Sequence, residues 1–330
     1  MDGIKISPDK NLRFVCAQPA IKYYAWQVEV MLNNFLATGV NLNNVDIVCW
    51  KANGVIPTEW SQLANRYPAR FFFYEDTRTT HHYISSIRPN ILKQHWANHP
   101  YLEFEAIFYH DSDIIFTKPI TEWIKPEWIN NEEWYGSDTR WYISHSYIIG
   151  KGQEVMDLMC EIMHMDEQTI KDNELNAIGA QYLMKNVDAN WWDRVERDCE
   201  ELYQKVSLLN TMIKSGNPQY HELQIWTADM WAVLWGAWRR GWKTNVVKEF
   251  DFSWGTSTEK DFYEMNIMHN AGVTDNNQLF YKAEWMNELP YGKAKEPKHG
   301  TASWHYWNIV QQTGNISCLL QKQPTGIQIA

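Results

Sequence analysis

Positive charge is in short supply in this chain, which sets 30 lysines and arginines against 40 aspartates and glutamates for a formal net charge of −10. A surface of that sign offers no broad attraction to a polyanion, and no run rich in lysine or arginine interrupts it, so non-specific nucleic-acid binding is disfavoured. Paired cysteines are missing as well. Cys16, Cys49, Cys160, Cys199 and Cys318 are odd in number, widely spaced and form no C-x-x-C element. That excludes zinc and dithiol redox motifs and reads as free thiols in a reducing compartment. No segment reaches the roughly 18 to 20 apolar residues of a membrane span. The amino end, Met1-Asp2-Gly3-Ile4-Lys5-Ile6-Ser7-Pro8, lacks a basic start followed by an apolar stretch. A cytoplasmic protein is expected. Repeats, low-complexity tracts and Gly/Ser/Pro-rich linkers are also lacking, so one continuous domain with a carboxyl-terminal tail is expected over residues 1–330.

Aromatic surface is what the chain has in excess: 19 Trp, 17 Tyr and 12 Phe. Flat rings line pockets for sugars and bases, although core packing is the simpler account of any single one. Through the first third, short apolar runs alternate with amphipathic stretches. Strands are expected at Arg13–Gln18, Val45–Trp50, Arg70–Tyr74 and Glu105–Tyr109, with helices at Ile21–Leu36 and His82–Trp96. Such alternation implies right-handed crossovers and a mostly parallel central sheet with flanking helices, an α/β fold. Ligands of these sheets bind beyond the carboxyl ends of the strands, where Gln18-Pro19 and His110–Asp113 would fall. The middle is expected to be helical over Glu154–His164, Leu175–Lys185, Trp192–Val206 and Leu223–Trp238, with strands at Thr244–Val247 and Met265–Met268. From about Pro297 the chain is polar and turn-rich, and little order is expected.

The densest chemical signal is Phe108-Tyr109-His110-Asp111-Ser112-Asp113-Ile114-Ile115-Phe116, in which two carboxylates one residue apart interrupt an apolar strand. Buried carboxylates are costly unless something positive meets them. Two aspartates flanking a small residue at a strand end can both turn toward one hard divalent cation, whose shell substrate phosphates commonly share. The simpler alternatives are that Asp111 and Asp113 cap a turn and that His269, farther on, is a satisfied core histidine. His81, His82 and His110 have no ligand spacing and read as surface or packing residues. The stretch from Trp192 to Tyr203, with acids and bases alternating, reads as a solvated helix face.

On these residues the sequence resembles glycosyltransferases of the GT-A (Rossmann-like) fold, whose Asp-x-Asp motif holds manganese or magnesium and the donor diphosphate. Retaining families of that fold place a histidine late in the chain with glycine three residues on, and Ile267-Met268-His269-Asn270-Ala271-Gly272-Val273 has that form. The resemblance implies Asp111, Asp113 and His269 as metal ligands, Gly272 as the point of close backbone approach, and Lys282 of Phe280-Tyr281-Lys282 on the diphosphate. It places Gln18, Arg88 and Ser112 beside the nucleotide. Gly136–Arg140 with Ser144–Ile149 is similar to the segment that meets the donor sugar. Asn173–Asn186, holding Gly179-Ala180-Gln181, resembles the helix start that carries an Asp-Gln pair in glycogenin-like enzymes. Ala180 stands where that aspartate would be, so Asp138 or Asp229 is expected to supply the carboxylate beside Gln181. The general layout is also similar to peptidyl-serine galactosyltransferases and hydroxyproline arabinosyltransferases. It implies a nucleotide-binding half over about residues 10–120, a helical sugar- and acceptor-side half over about 121–296, and a tail over 297–330.

The implied activity is metal-dependent transfer from a nucleotide-diphosphate sugar, a UDP-sugar by resemblance, with Mn2+ or Mg2+, to an acceptor hydroxyl. Retention needs no base, whereas inversion would require Asp138 or Asp229 as one. The acceptor stays open among a protein side chain, a glycan and a hydroxymethylated DNA base of a virus. A nucleotidyltransferase would need a Gly-rich phosphate loop or a third acidic ligand, and neither a P-loop nor G-x-G-x-x-G is present. A non-catalytic glycan- or nucleotide-binding protein is the remaining alternative.

Overall fold

The computed structural model describes residues 11–320, with side chains through 316. The amino-terminal octapeptide, the Cys318 side chain and residues 321–330 of the tail lie outside the described residues. In chain order come β1 (Leu12–Pro19), α1 (Lys22–Ala37), β2 (Val45–Trp50), α2 (Thr58–Arg66), β3 (Arg70–Tyr74), α3 (Ile87–Asn98) and β4 (Ala106–Tyr109). They build a parallel array in the order β3-β2-β1-β4. The chain leaves β1 for β2 and β3 on one side and returns to its other side for β4. The connections after β1 and β4 therefore diverge, and a crevice opens at their carboxyl ends.

Alternation along these strands sets the two cores. Phe14 and Cys16 of β1 join Ile47, Cys49 and Phe108 beneath α1 and α2, whereas Val15 and Ala17 join Val48, Ile107 and Tyr109 on the opposite face. Burial on both faces accounts for the near-continuous apolar runs. At the amino ends of the same strands charges pair instead. Arg13 bonds Glu105 and lies 3.3 Å from Asp46, while Arg70 and His95 reach Asp46 at 2.6 and 3.1 Å.

Downstream follow β5 (Ile114–Phe116), α4 (Pro126–Asn130), β6 (Trp134–Asp138), the short turns α5 (Arg140–Ile143) and α6 (His145–Ile149), α7 (Gln153–Met163), α8 (Glu167–Asp172) and β7 (Ile178–Met184). Then come α9 (Ala189–Gly216), α10 (Ala228–Arg239), β8 (Thr244–Val246), β9 (Phe252–Trp254), α11 (Glu259–Glu264), β10 (Ile267–His269) and α12 (Ala302–Leu320). β7, antiparallel to both neighbours, joins β4 to β6 and β8 and completes a seven-stranded, mostly parallel sheet. A second sheet, β5-β10-β9, stands beside it.

Four sequence expectations are corrected. Leu175–Lys185, and with it the helix start expected in Asn173–Asn186, is the strand β7. The apolar stretch through Asp111–Asp113 is two strands in two different sheets. The tail forms α12, which lays Ala302, Tyr306 and Val310, four residues apart on one stripe, against Trp26, Val30 and Met268. The expected solvated face of α9 buries Glu196, Asp198 and Glu200. Lys93 meets Glu196 at 2.6 Å, Arg194 and Arg239 hold Asp198, and Glu200 accepts from the His82 backbone N–H and the Ser86 hydroxyl. Cys16, Cys49, Cys160 and Cys199 are free thiols. Among the described residues no helix is long and apolar enough to cross a membrane.

Candidate functional site

The small sheet brings distant residues together. His269 ends β10 and pairs antiparallel with Ile114 at the start of β5, and the Asn270 N–H donates to the Asp113 carbonyl at 2.9 Å. Register thus fixes the imidazole beside the Asp-x-Asp turn: His269 Nε2 lies 3.2 Å from Asp113 Oδ1 and 3.6 Å from Asp111 Oδ2. One donor atom from each of Asp111, Asp113 and His269 falls within 4.8 Å of the others, a gathering no other His, Cys, Asp or Glu makes among the described residues. Ligands held at about 2.1–2.5 Å from one ion stand at most about 5 Å apart, so the three fit a shared divalent cation.

Two cations complete the cluster. Lys282 bonds Asp113, and Arg88, presented by the first turn of α3, bonds Asp111 and reaches Asp229 Oδ2 at 3.6 Å. Burial raises the Asp113 pKa, but Lys282 and His269 outweigh it and hold the carboxyl well below its usual range. Burial alone would lower Lys282; Asp113 reverses this and keeps the amine charged. Asp229 is pushed up by burial, against Arg88 and the Tyr83 hydroxyl, which lies 2.7 Å from Oδ1. Burial drives His110 down to about 4, so the ring is neutral, packed among Phe14, Phe35 and Phe108. The packing reading of His110 holds.

Around the cluster lies a cleft with about 920 Å³ of open space, whose walls include Gln18, Tyr23, Tyr24, Ser112, Trp254 and Lys282. A second, smaller pocket, walled by Tyr109, Tyr182, Trp192, Asp229 and Met230, shares Arg88, Asp111, Ala180 and Trp226 with it. Gln18 donates through Nε2 to the Val48 carbonyl, while its buried Oε1 has no partner among the described residues. Gly272 sits at φ +79°, a conformation glycine takes without cost, and the neighbouring Ala271 lines the cleft.

Two expected residues stand elsewhere. Gln181 is fully buried, with its Oε1 3.3 Å from the Ser137 hydroxyl, and lines neither cavity. A register shift between Gly136 and Ser137 on β6, with Ala180 at φ +61° on β7, puts Ala180 rather than Gln181 on the cavity walls. Asp138 belongs to a separate surface groove and is paired with Arg140 at 2.9 Å. Tyr23, Tyr24 and Trp254 were not anticipated. α1 begins within three residues of Pro19, so its first turn has to overhang the strand ends, and that proximity was the available signal.

No family model and no curated protein matches the chain. It is similar to the galactosyltransferase LgtC in complex with donor and acceptor sugar analogues, over 92% of this chain and 95% of that one, at 10% identity and a TM-score of 0.42. The bifunctional glycosyltransferase WbbM matches 84% of this chain at 10% identity and a TM-score of 0.45, with 48% of its own length covered. The glycosyltransferase GlyE of Streptococcus pneumoniae matches 94% of this chain at 12% identity and a TM-score of 0.42, with 64% of its own length covered. The chain thus spans about half of WbbM and just under two thirds of GlyE. Likenesses this distant carry no argument of their own; the geometry above does.

Proposed function

We propose that the chain is a metal-dependent glycosyltransferase of the GT-A kind, moving a sugar from a nucleotide-diphosphate donor, in the first instance a UDP-sugar, to an acceptor hydroxyl. The observation that carries this is the convergence of Asp111, Asp113 and His269 with Lys282 and Arg88 at the carboxyl edge of the sheet. A divalent ion held by the three ligands would stabilise charge on the departing diphosphate. Lys282 and Arg88 add fixed positive charge on either side of that position, a preorganised arrangement for an anionic leaving group. Gln18, whose Oε1 is unmatched, offers an acceptor to a base or ribose donor group.

The sugar belongs in the second cavity. Asp229 is the one carboxylate on the cavity walls outside the ligand set, and with Tyr83 and Arg88 it can position sugar hydroxyls. Its pairing with Arg88 suits hydroxyl binding better than proton abstraction, which favours retention, where the leaving phosphate oxygen takes the acceptor proton. The test is a panel of nucleotide sugars incubated with manganese, with nucleotide release followed and product anomers read by proton NMR. Turnover that needs manganese and is lost in Asp113→Asn is expected. Unimpaired turnover in EDTA, or in Asp113→Asn, would overturn the proposal.

A further inference from the structure

Outside both cavities, an open groove with about 910 Å³ of empty space runs over Asp138, Arg140, Trp141, Ser146, Glu174 and Leu175. We propose that this groove seats a neutral carbohydrate chain as the acceptor; the inference rests on the glycosyltransferase reading for its role, though not for its chemistry. Trp141 is 65% exposed and Leu175 67%, whereas Trp26, Trp60, Trp96, Trp134, Trp191 and Trp192 are interior. A pyranose ring has a face of C–H groups that packs on an indole while its hydroxyls point to the rim.

The rim supplies what those hydroxyls require. Arg140 and Asp138 are locked side by side, with side chains 41% and 32% exposed, and present fixed donors and acceptors together. Glu174 adds a second carboxylate, tied to the Ser146 N–H at 3.2 Å. Two carboxylates against one guanidinium repel a phosphate backbone, which counts against a nucleic-acid acceptor at this face. The groove also abuts the metal cleft. Trp141 meets Trp254 edge-on at 6.2 Å, Trp254 stacks on His269 with 12° between planes, and Tyr142 lines the cleft itself. A chain lying along Trp141 would therefore have its end directed toward the donor.

The test uses the full-length protein on an array of neutral oligosaccharides, without metal or nucleotide, followed by saturation-transfer NMR titration of the ligands found. Binding is expected, weakened about tenfold in Trp141→Ala, an exposed position, and also reduced in Arg140→Ala, a half-buried one at the rim. Oligosaccharide binding that depends on Trp141 supports the groove even where no donor is turned over, so failure of the enzymatic reading stays separate. Absence of any oligosaccharide binding, binding by both variants as tight as that of the unsubstituted protein, or donor turnover with transfer only to protein or DNA overturns the groove.

Discussion

Asp113 meets His269 on one carboxylate oxygen and Lys282 on the other. Replacing it with asparagine keeps the shape and removes the charge, so manganese affinity is expected to fall about a hundredfold by calorimetry. Asp229→Asn tests a different role. Contact with a sugar hydroxyl in the transition state predicts kcat lower by roughly 10- to 100-fold with donor KM little changed, whereas an unaltered kcat would remove Asp229 from the chemistry. The gathering of Asp111, Asp113 and His269 was legible in the sequence because Asp111-x-Asp113 and His269-x-x-Gly272 are local patterns whose spacing survives folding. Gln181 was not. Its direction depends on a bulge and on one positive φ at Ala180, and nothing in an alanine announces that. Tyr23 and Tyr24 became site residues only through where α1 starts.

Opposite ends of the same strands do opposite work. The carboxyl ends gather the cleft, while the amino ends tie β1, β2, β3 and α3 together through the fully buried Asp46. Removing that charge by Asp46→Ala leaves His95 Nε2 without its carboxylate and Arg13 with Glu105 alone, and is expected to cost about 3 kcal/mol in urea unfolding. Burial raises the Asp46 pKa, but His95, Arg70 and Arg13 outweigh it and leave it lowered; burial lowers His95 against Asp46. Both folded-state pKa values are depressed. The contribution from His95 is therefore complete above its unfolded pKa of about 6.5, and that from Asp46 above about 3.9, and each is lost as pH falls through the folded value. Urea midpoints measured from pH 7 down to pH 3.5 should decline, and more steeply in Asp46→Ala, where nothing from Asp46 opposes the burial of His95. A steric prediction belongs to β6: a Cβ on Gly136 would come 2.8 Å from Ile178 Cβ and 2.9 Å from the Gln181 carbonyl, so Gly136→Ala should cost about 1–3 kcal/mol. β7 itself was misread as helix because Gly-Ala-Gln-Tyr-Leu-Met has mostly helix-favouring residues. Pairing with β4 and β6 on both sides overrides that propensity.

For the whole molecule, the candidate ion site joins two sheets, since Asp111 leaves the large one and His269 ends a strand of the small one. An ion bound there would stabilise the folded state by about 2.7 kcal/mol at a hundredfold excess over Kd. Scanning calorimetry should then show the melting temperature rising by roughly 5 °C with manganese, and not in Asp113→Asn. The parallel array and its crevice could be read from alternating runs in the first 110 residues. Of the small sheet only β10 was legible, as the run Met265–Met268; β9 and the switch of β5 out of the large sheet were not, because strands of three residues carry little periodicity and none that names a partner.

Lys282 follows Phe280, which packs on Trp26 and on Tyr306 of α12, and Phe280 also donates its N–H to Ser303. The buttress behind the ion cleft therefore comes from α12, about 190 residues along the chain from Asp111. The large sheet could collapse early around its apolar strands, but the cleft would gain its histidine, its lysine and their support only once the segment from β10 to α12 had docked against α1.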